Sequence, residues 1–486
     1  MATKAFWAAS AGWEPSDIAL FLPLLAGVSL VLWPGLGRPF AWVASGGVFV
    51  LSLVMFFLHP KEGIAYLTQT PLLGPAGIYY AVGLDNAAMF LWLAVSFTVF
   101  LSVWVAKAPT RMLGYALMME TGLLGIFAAL DLVLFYVFFE FTLIPALLML
   151  GLYGGRERMR ALYTFALFTL VGSLPMLAAI LAARFLGGAE SFLIGDLYNH
   201  PLKGVAASWV FLGFFFALAV KTPLFPLHAW LPSFHQENHP SGLADAMGTL
   251  YKVGIFAFFR WAMPLAPEGF QGLQPLLLTL AAFTAIYAAW AAWGAKDWKN
   301  LLAYGGISHM GLAAIGLFSG TSEGAVGALF LLGASFVYTG GMFLFTGLLY
   351  ERTGTLEIGP VRGLAKSAPA LAALGMILVM SMIGLPGLAG FPGEFMALLG
   401  AYKASPWLTF VAFLSVIAAA AYALTAYQKV FHESENRAVP DMTLQEWSFA
   451  VVIVAAIALL GLYPKLFTQL LQPLAKAFAA LFGGAA

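Results

Sequence analysis

The sequence predicts an all-α polytopic membrane protein, on three observations. Of its 486 residues 62% are hydrophobic and 9% charged, against about 25% charged in a soluble domain. About fourteen apolar runs approach the roughly 20 residues a helix needs to cross a hydrocarbon core. The runs are uniformly apolar, whereas a transmembrane barrel would show short alternating segments.

In order, the runs lie at 16–34, 39–59, 83–107, 112–130, 132–153, 160–186, 205–222, 241–264, 273–294, 299–319, 323–349, 367–387, 406–431 and 446–470. The first three are plain apolar spans in an N-terminal region, 1–110. The opening MATKAFWAASAGWEPSD is a poor signal peptide, with a short apolar run and no clear cleavage site, so the first span is expected to direct insertion. A second region, 111–264, holds the spans carrying Glu120, Glu140, Lys221 and Lys252. A third, 265–431, holds those carrying His309 and Glu394. The last, 432–486, holds the final span and a tail, QPLAKAFAALFG at 472–483, that reads as an amphipathic helix on the outer surface.

Two runs are interrupted. After Lys221 comes TPLFPLHAWLPSFHQENHP, with Pro223, Pro226, Pro232 and Pro240. Far downstream comes GLPGLAGFPGEF, with Pro386 and Pro392 among glycines just before Glu394. Proline removes a backbone donor and clashes in a helix interior. Backbone freed at membrane depth is tolerated only where protein or a wet cavity satisfies it. Broken segments at corresponding places in two halves point to an ion site between inverted repeats. Breaks are therefore expected near 221–232 and 384–395. Apart from Lys221 and Lys252, Lys and Arg divide 13 to 8 between the two sides of a fourteen-span chain. The richer side is expected to be cytoplasmic, with both termini outside.

The ionisable residues inside the runs are the candidate functional groups. Lys221 and Lys252 stand in FLGFFFALAV-Lys221-TPLFPLHAW and AMGTLY-Lys252-VGIFAFF. A charge at mid-bilayer costs roughly 2.5–3.5 kcal/mol, and such groups usually face a bundle interior and carry ions or substrate. Glu120, Glu140, His309 and Glu394 are placed the same way. Each has a blander alternative. Glu140 could make a structural hydrogen bond, and a protonated Glu120 could satisfy itself locally. Lys221 could snorkel where its helix stops at Pro223, while Lys252 has apolar residues on both sides and no break. His309 could bond a backbone carbonyl instead of relaying protons. His228, His235 and His239 cluster in the broken segment; with prolines between them and no carboxylate-rich surroundings, they suit a wet proton path better than a metal. Asp85, Asp131 and Asp297 sit at helix ends, where a cap is as good a reading as transport.

Composition excludes other chemistry. There is no cysteine, so no disulfide, iron–sulfur ligand or thiol zinc site. A net charge of +1 gives no case for nucleic acid. No phosphate loop, nucleophile elbow or dinucleotide fingerprint occurs in a strand–helix context.

Five strings, in order, carry a resemblance: FYVFFEFTLIPALLML around Glu140, VKTPLFPLHAWLPSFH from Val220, TLYKVGIF around Lys252, KDWKNLLAYGGISHMG from Lys296, and GLPGLAGFPGEF ending at Phe395. Over roughly 80–430 the chain resembles the antiporter-like subunits of respiratory complex I and their Mrp-type sodium/proton antiporter relatives. Glu394, where other types carry lysine, matches the M type, as does the lack of a long lateral-helix extension. The resemblance implies fourteen core helices in two inverted five-helix repeats, with a discontinuous helix in each. It implies proton translocation through Glu140 with Lys221, Lys252 as the link, and His309 leading to Glu394, with Glu120 and His228 secondary. It implies a subunit without a cofactor of its own, in a complex that uses NADH, FMN, iron–sulfur clusters and quinone. It implies neighbouring antiporter-like subunits as partners in a bacterial inner membrane. One departure is Ser335, where M-type members often have a second histidine; water near Ser335 and Tyr338 is the expected substitute. An Mrp-type sodium/proton antiporter subunit, a membrane subunit of a hydrogenase- or formate-linked complex, and a non-conducting scaffold are the alternatives.

Overall fold

The computed structural model describes residues 13–60, 63–250, 252–434 and 437–483. The segment up to residue 12, with Lys4, and Lys61, both counted in the orientation argument, lie outside the described residues. Helix dominates, because in a run this apolar the backbone has no partner but itself. Among the described residues eleven helices are long and apolar enough to cross a membrane. Three further expected spans take other forms. Thr110–Ala128 is a helix of 19 residues, Pro369–Met382 is a shorter one, and 241–264 is divided into several pieces.

The all-α expectation needs one correction. Ala65–Leu73 and Ile78–Leu84 form an antiparallel hairpin that the sequence reading missed. Asp17 anchors it: its carboxylate accepts from Thr68 Oγ1 at 2.6 Å and Tyr80 Oη at 2.5 Å. The tail also differs. Its amphipathic helix begins earlier, as Lys465–Ala480, and packs onto Ser322–Thr353 and Asn86–Val105. Phe467 meets Phe56 and Phe90, and Phe478 meets Phe259, so the apolar stripe faces protein.

Two helices make the centre. The most apolar windows of Trp298–Phe318 and Ser322–Thr353 are 94% and 100% buried, against 33% for Pro406–Phe431 at the periphery. Peripheral helices show lipid-sized apolar faces, such as Leu167, Val171 and Leu174 on Arg158–Gly187. Small residues allow close approach: a Cβ at Gly327 would fall 2.2 Å from Ala397 N, seating Ser322–Thr353 directly on Gly390–Ala404. The caps expected of Asp85, Asp131 and Asp297 are present, each accepting from a first-turn amide of the following helix.

Both expected breaks are present. Gly204–Lys221 stops at Lys221 and helix resumes at Trp230–Glu237; Pro369–Met382 stops and helix resumes at Gly390–Ala404. Each first half ends alike: Leu224 N donates to Ala219 O at 2.8 Å and Leu385 N to Met380 O at 3.0 Å. Trp230 Nε1 donates to Val220 O, and Phe225 N to Thr284 Oγ1, each at 3.1 Å. These bonds satisfy backbone that the prolines free.

Candidate functional site

The first cluster forms where a kink meets a helix end. Pro145 cannot donate back to Phe141, and the helix divides into Leu132–Phe141 and Leu143–Tyr153 around Thr142. Glu140 and Thr142 thus lie at a bend. Lys221, 2% exposed, reaches that bend. Its Nζ donates to Thr142 Oγ1 at 3.1 Å and lies 4.4 Å over the Phe139 ring. The Glu140 carboxylate acts on it electrostatically. Lys221 is therefore buried, not snorkelling. Glu120 lies fully buried on the neighbouring Thr110–Ala128 helix, and its carboxylate oxygens have no hydrogen-bond partner among the described residues. That helix reaches the bend through Gly122, where a Cβ would meet Thr142 Cγ2 at 2.7 Å.

Lys252 requires a correction. The sequence showed no break there, yet Lys252 stands outside helix, between Leu243–Leu250 and Gly254–Ala257. Lys252 is 2% exposed and its Nζ lies against Gly306, where a Cβ would fall 2.3 Å from it. Only hydrogen at that position leaves room for the lysine head. Gly254, two residues on, touches the other break: a Cβ there would fall 2.2 Å from Thr222 Oγ1. The helix end carrying Lys221 and the gap carrying Lys252 are thus in direct contact.

The second cluster gathers on the Trp298–Phe318 helix. His309 Nε2 lies 3.7 Å from Glu394 Oε1, and Tyr338 Oη lies 3.5 Å from His309 Nδ1. Glu394 is 4% exposed and leans over the helix break at Gly384, where a Cβ would fall 2.2 Å from its Oε2. Gly384 has φ +73°, a conformation that glycine adopts freely. At the place of the expected second histidine, the Ser335 hydroxyl donates to Leu332 O at 2.7 Å within its own helix. Tyr338 is the group that meets His309.

The three clustered histidines part company. His228 packs its ring on Phe225 and Tyr287, His235 bonds Asp245, and His239 bonds Ser241. Several polar residues escaped the sequence reading. Tyr422 is buried, interacts electrostatically with Glu394 and stands over Gly305, where a Cβ would fall 2.9 Å from its hydroxyl. Arg260, counted with the cations of the outer side, is buried, 2.6 Å from Asp85. Lys299, counted with those of the cytoplasmic side, is buried, 3.0 Å from Asp245. Asp245 carried a signal, since it is an ionisable residue inside the same apolar run as Lys252. Tyr422 carried none.

Chemically, the site is a row of groups, most of them buried, that can gain or lose protons. Residues 129–419 match the family model described as NADH:quinone oxidoreductase/Mrp antiporter, TM. The chain is similar to NADH-quinone oxidoreductase subunit 13 of Thermus thermophilus, 62% identical over 96% of this chain and 99% of that protein. It is similar to NADH-quinone oxidoreductase subunit M of Rhodobacter capsulatus, 33% identical over 94% of each. Among solved structures it matches a chain of respiratory complex I from Thermus thermophilus with bound NADH, with TM-score 0.95 and 62% identity over 96% of this chain and 100% of that one. The chain belongs to the NADH:quinone oxidoreductase/Mrp antiporter family.

Proposed function

We propose that this member of the NADH:quinone oxidoreductase/Mrp antiporter family is the M-type, proton-translocating membrane subunit of a NADH:quinone oxidoreductase. The complex oxidises NADH and reduces quinone; this subunit moves protons and does no redox chemistry itself. Its partners are the other membrane subunits, neighbouring antiporter-like ones above all, in a bacterial inner membrane. One observation carries the reading: two clusters of ionisable groups, at Lys221 and at Glu394, with Lys252 placed between them, two residues from Gly254, which meets Thr222, and against Gly306 on the helix that carries His309. The two relatives named as NADH-quinone oxidoreductase subunits support the choice of complex.

The finer topology belongs to the same proposal. Fourteen spans form two inverted five-helix repeats, 111–264 and 265–431, between an N-terminal helical region and a last span with its tail. The matching i→i−5 bonds at the two breaks support the repeat. Both termini face outward, by the distribution of Lys and Arg.

The route runs from the cytoplasm to Lys221, held by Thr142 and Glu140. A buried lysine that loses a carboxylate's attraction holds its proton less tightly, so loosening that pair sends the proton to Lys252. From Lys252 it passes His309 to Glu394 and leaves outward, while Glu120 and His228 line the approach. Lys221→Ala tests the route in inverted membrane vesicles with the assembled complex. NADH-driven proton uptake should collapse. Uptake at the unaltered rate would disprove the route.

A further inference from the structure

A third buried charge cluster lies outside the two just described. Asp245 is fully buried on Leu243–Leu250. Its Oδ1 accepts from His235 Nδ1 and from Asn238 Nδ2, each at 3.1 Å. Its Oδ2 is 3.0 Å from Lys299 Nζ, which also donates to Asn238 O at 2.6 Å. Lys299 thus ties three elements together: the end of Trp230–Glu237, the Asp245 helix and the start of Trp298–Phe318.

The ring of His235 is fixed on every side. It stacks on Phe343 at 4.3 Å and 13°. A carboxylate can only accept, so Nδ1 carries the proton in this bond and Nε2 of the neutral ring is left as the acceptor. That Nε2 is buried and has no hydrogen-bond partner among the described residues. It lies beside Gly248, where a Cβ would fall 3.5 Å from it and 2.9 Å from Cε1. Gly248 stands one turn beyond Asp245 on Leu243–Leu250, so the open nitrogen lies toward the end of that helix from which the chain runs on to Lys252. His235 is also within electrostatic reach of Lys252.

A clamp made only to hold helices would not need these charges. Buried ion pairs often stabilise no better than apolar residues of equal volume. What this pair does specifically is set which nitrogen of His235 is open and where it points.

We propose that Asp245 and Lys299 are positioning residues of the proton path, acting through His235. Asp245 keeps His235 in the tautomer whose Nε2 is free toward Lys252, and Lys299 keeps Asp245 ionised and in place. A proton arriving at Nε2 forms an N–H bond there, and Asp245 already faces the resulting imidazolium. The proton then leaves Nε2 for the neutral amine of Lys252, directly or along hydrogen-bonded water, and the ring returns to its starting tautomer. This inference rests on the proton-path reading above.

The test uses the intact complex in inverted vesicles, with its amount measured in each membrane. The double variant Asp245→Asn/Lys299→Gln removes both charges and leaves neither buried alone. Its NADH-driven proton uptake should fall about tenfold or more, as a lost alignment at a reacting group does, while Lys299→Arg keeps most of the rate. Wild-type uptake in the double variant would overturn the proposal. If that variant fails to assemble, Asp245→Glu decides: it keeps both charges but displaces the carboxylate, so uptake should slow with a larger solvent deuterium effect. An unchanged rate and isotope effect would again overturn the proposal. Lys252→Met is the control. Unimpaired uptake there would sink the proton path itself and this inference with it; impaired uptake beside a normal double variant would sink this inference alone.

Discussion

The break after Lys221 and the break before Glu394 use one backbone device for opposite charges. Lys221 is the last residue of its half-helix, where the dipole favours a cation; Glu394 lies one turn into its half-helix, near the end that favours an anion. Their surroundings differ more than their backbones. Lys221 faces a kinked neighbour whose Glu140 is only partly buried, beside Val137 and Ile144 at 54% and 52% exposure. Glu394 faces His309, Tyr338 and Tyr422, all buried. One cluster is open on a flank that a neighbouring subunit can cover, and the other is sealed within this chain. In this account a neighbour can act on the first cluster, and the second receives what Lys252 delivers.

Four changes, with Gly47→Ala as a control and Tyr338→Phe as a reference, would break or sharpen that contrast, all read as NADH-driven proton uptake by vesicles with matched amounts of complex. Lys252→Met removes the group between the clusters and should have the largest effect, a loss of roughly a hundredfold, the scale of a missing acid–base group. Uptake within a few-fold of normal would mean that the clusters work independently. Gly384→Ala attacks the sealed cluster alone. The new Cβ would fall 2.2 Å from Glu394 Oε2 at a residue with φ +73°, so about tenfold is expected to be lost by misplacement. Gly47→Ala, in open space, should cost no activity. Tyr422→Phe removes a buried hydroxyl near Glu394 that bonds nothing among the described residues, so uptake should slow by less than the roughly fivefold that a lost hydrogen bond of about 1 kcal/mol would cause. Ser335→Ala should change nothing, because that hydroxyl is spent on Leu332 O. A slowing equal to that of Tyr338→Phe would put Ser335 on the path after all.

The breaks were legible because proline and glycine mark them in any environment. Lys221, Lys252, His309 and Glu394 were legible because ionisable groups stand out in apolar runs. The gap at Lys252 was not, since nothing before it breaks a helix. The contacts around it, with Gly306 and between Gly254 and Thr222, come from distant parts of the chain. The hairpin at 65–84 was hidden too, because its last strand runs straight into the span that follows. Lys299 and Arg260 entered the sequence reading only in the count of cations on each side, and they are buried partners of Asp245 and Asp85, a pairing that no local pattern announces.

The most direct measurement follows proton uptake and NADH oxidation together in inverted vesicles carrying Glu140→Gln, with assembly verified. It removes the charge of the flank cluster while leaving Lys221, Lys252 and Glu394 in place. The account predicts that uptake and oxidation fall together, because pumping through this chain is coupled to electron flow. Unchanged rates of both would contradict it, and would leave Glu140 a structural carboxylate at a bend.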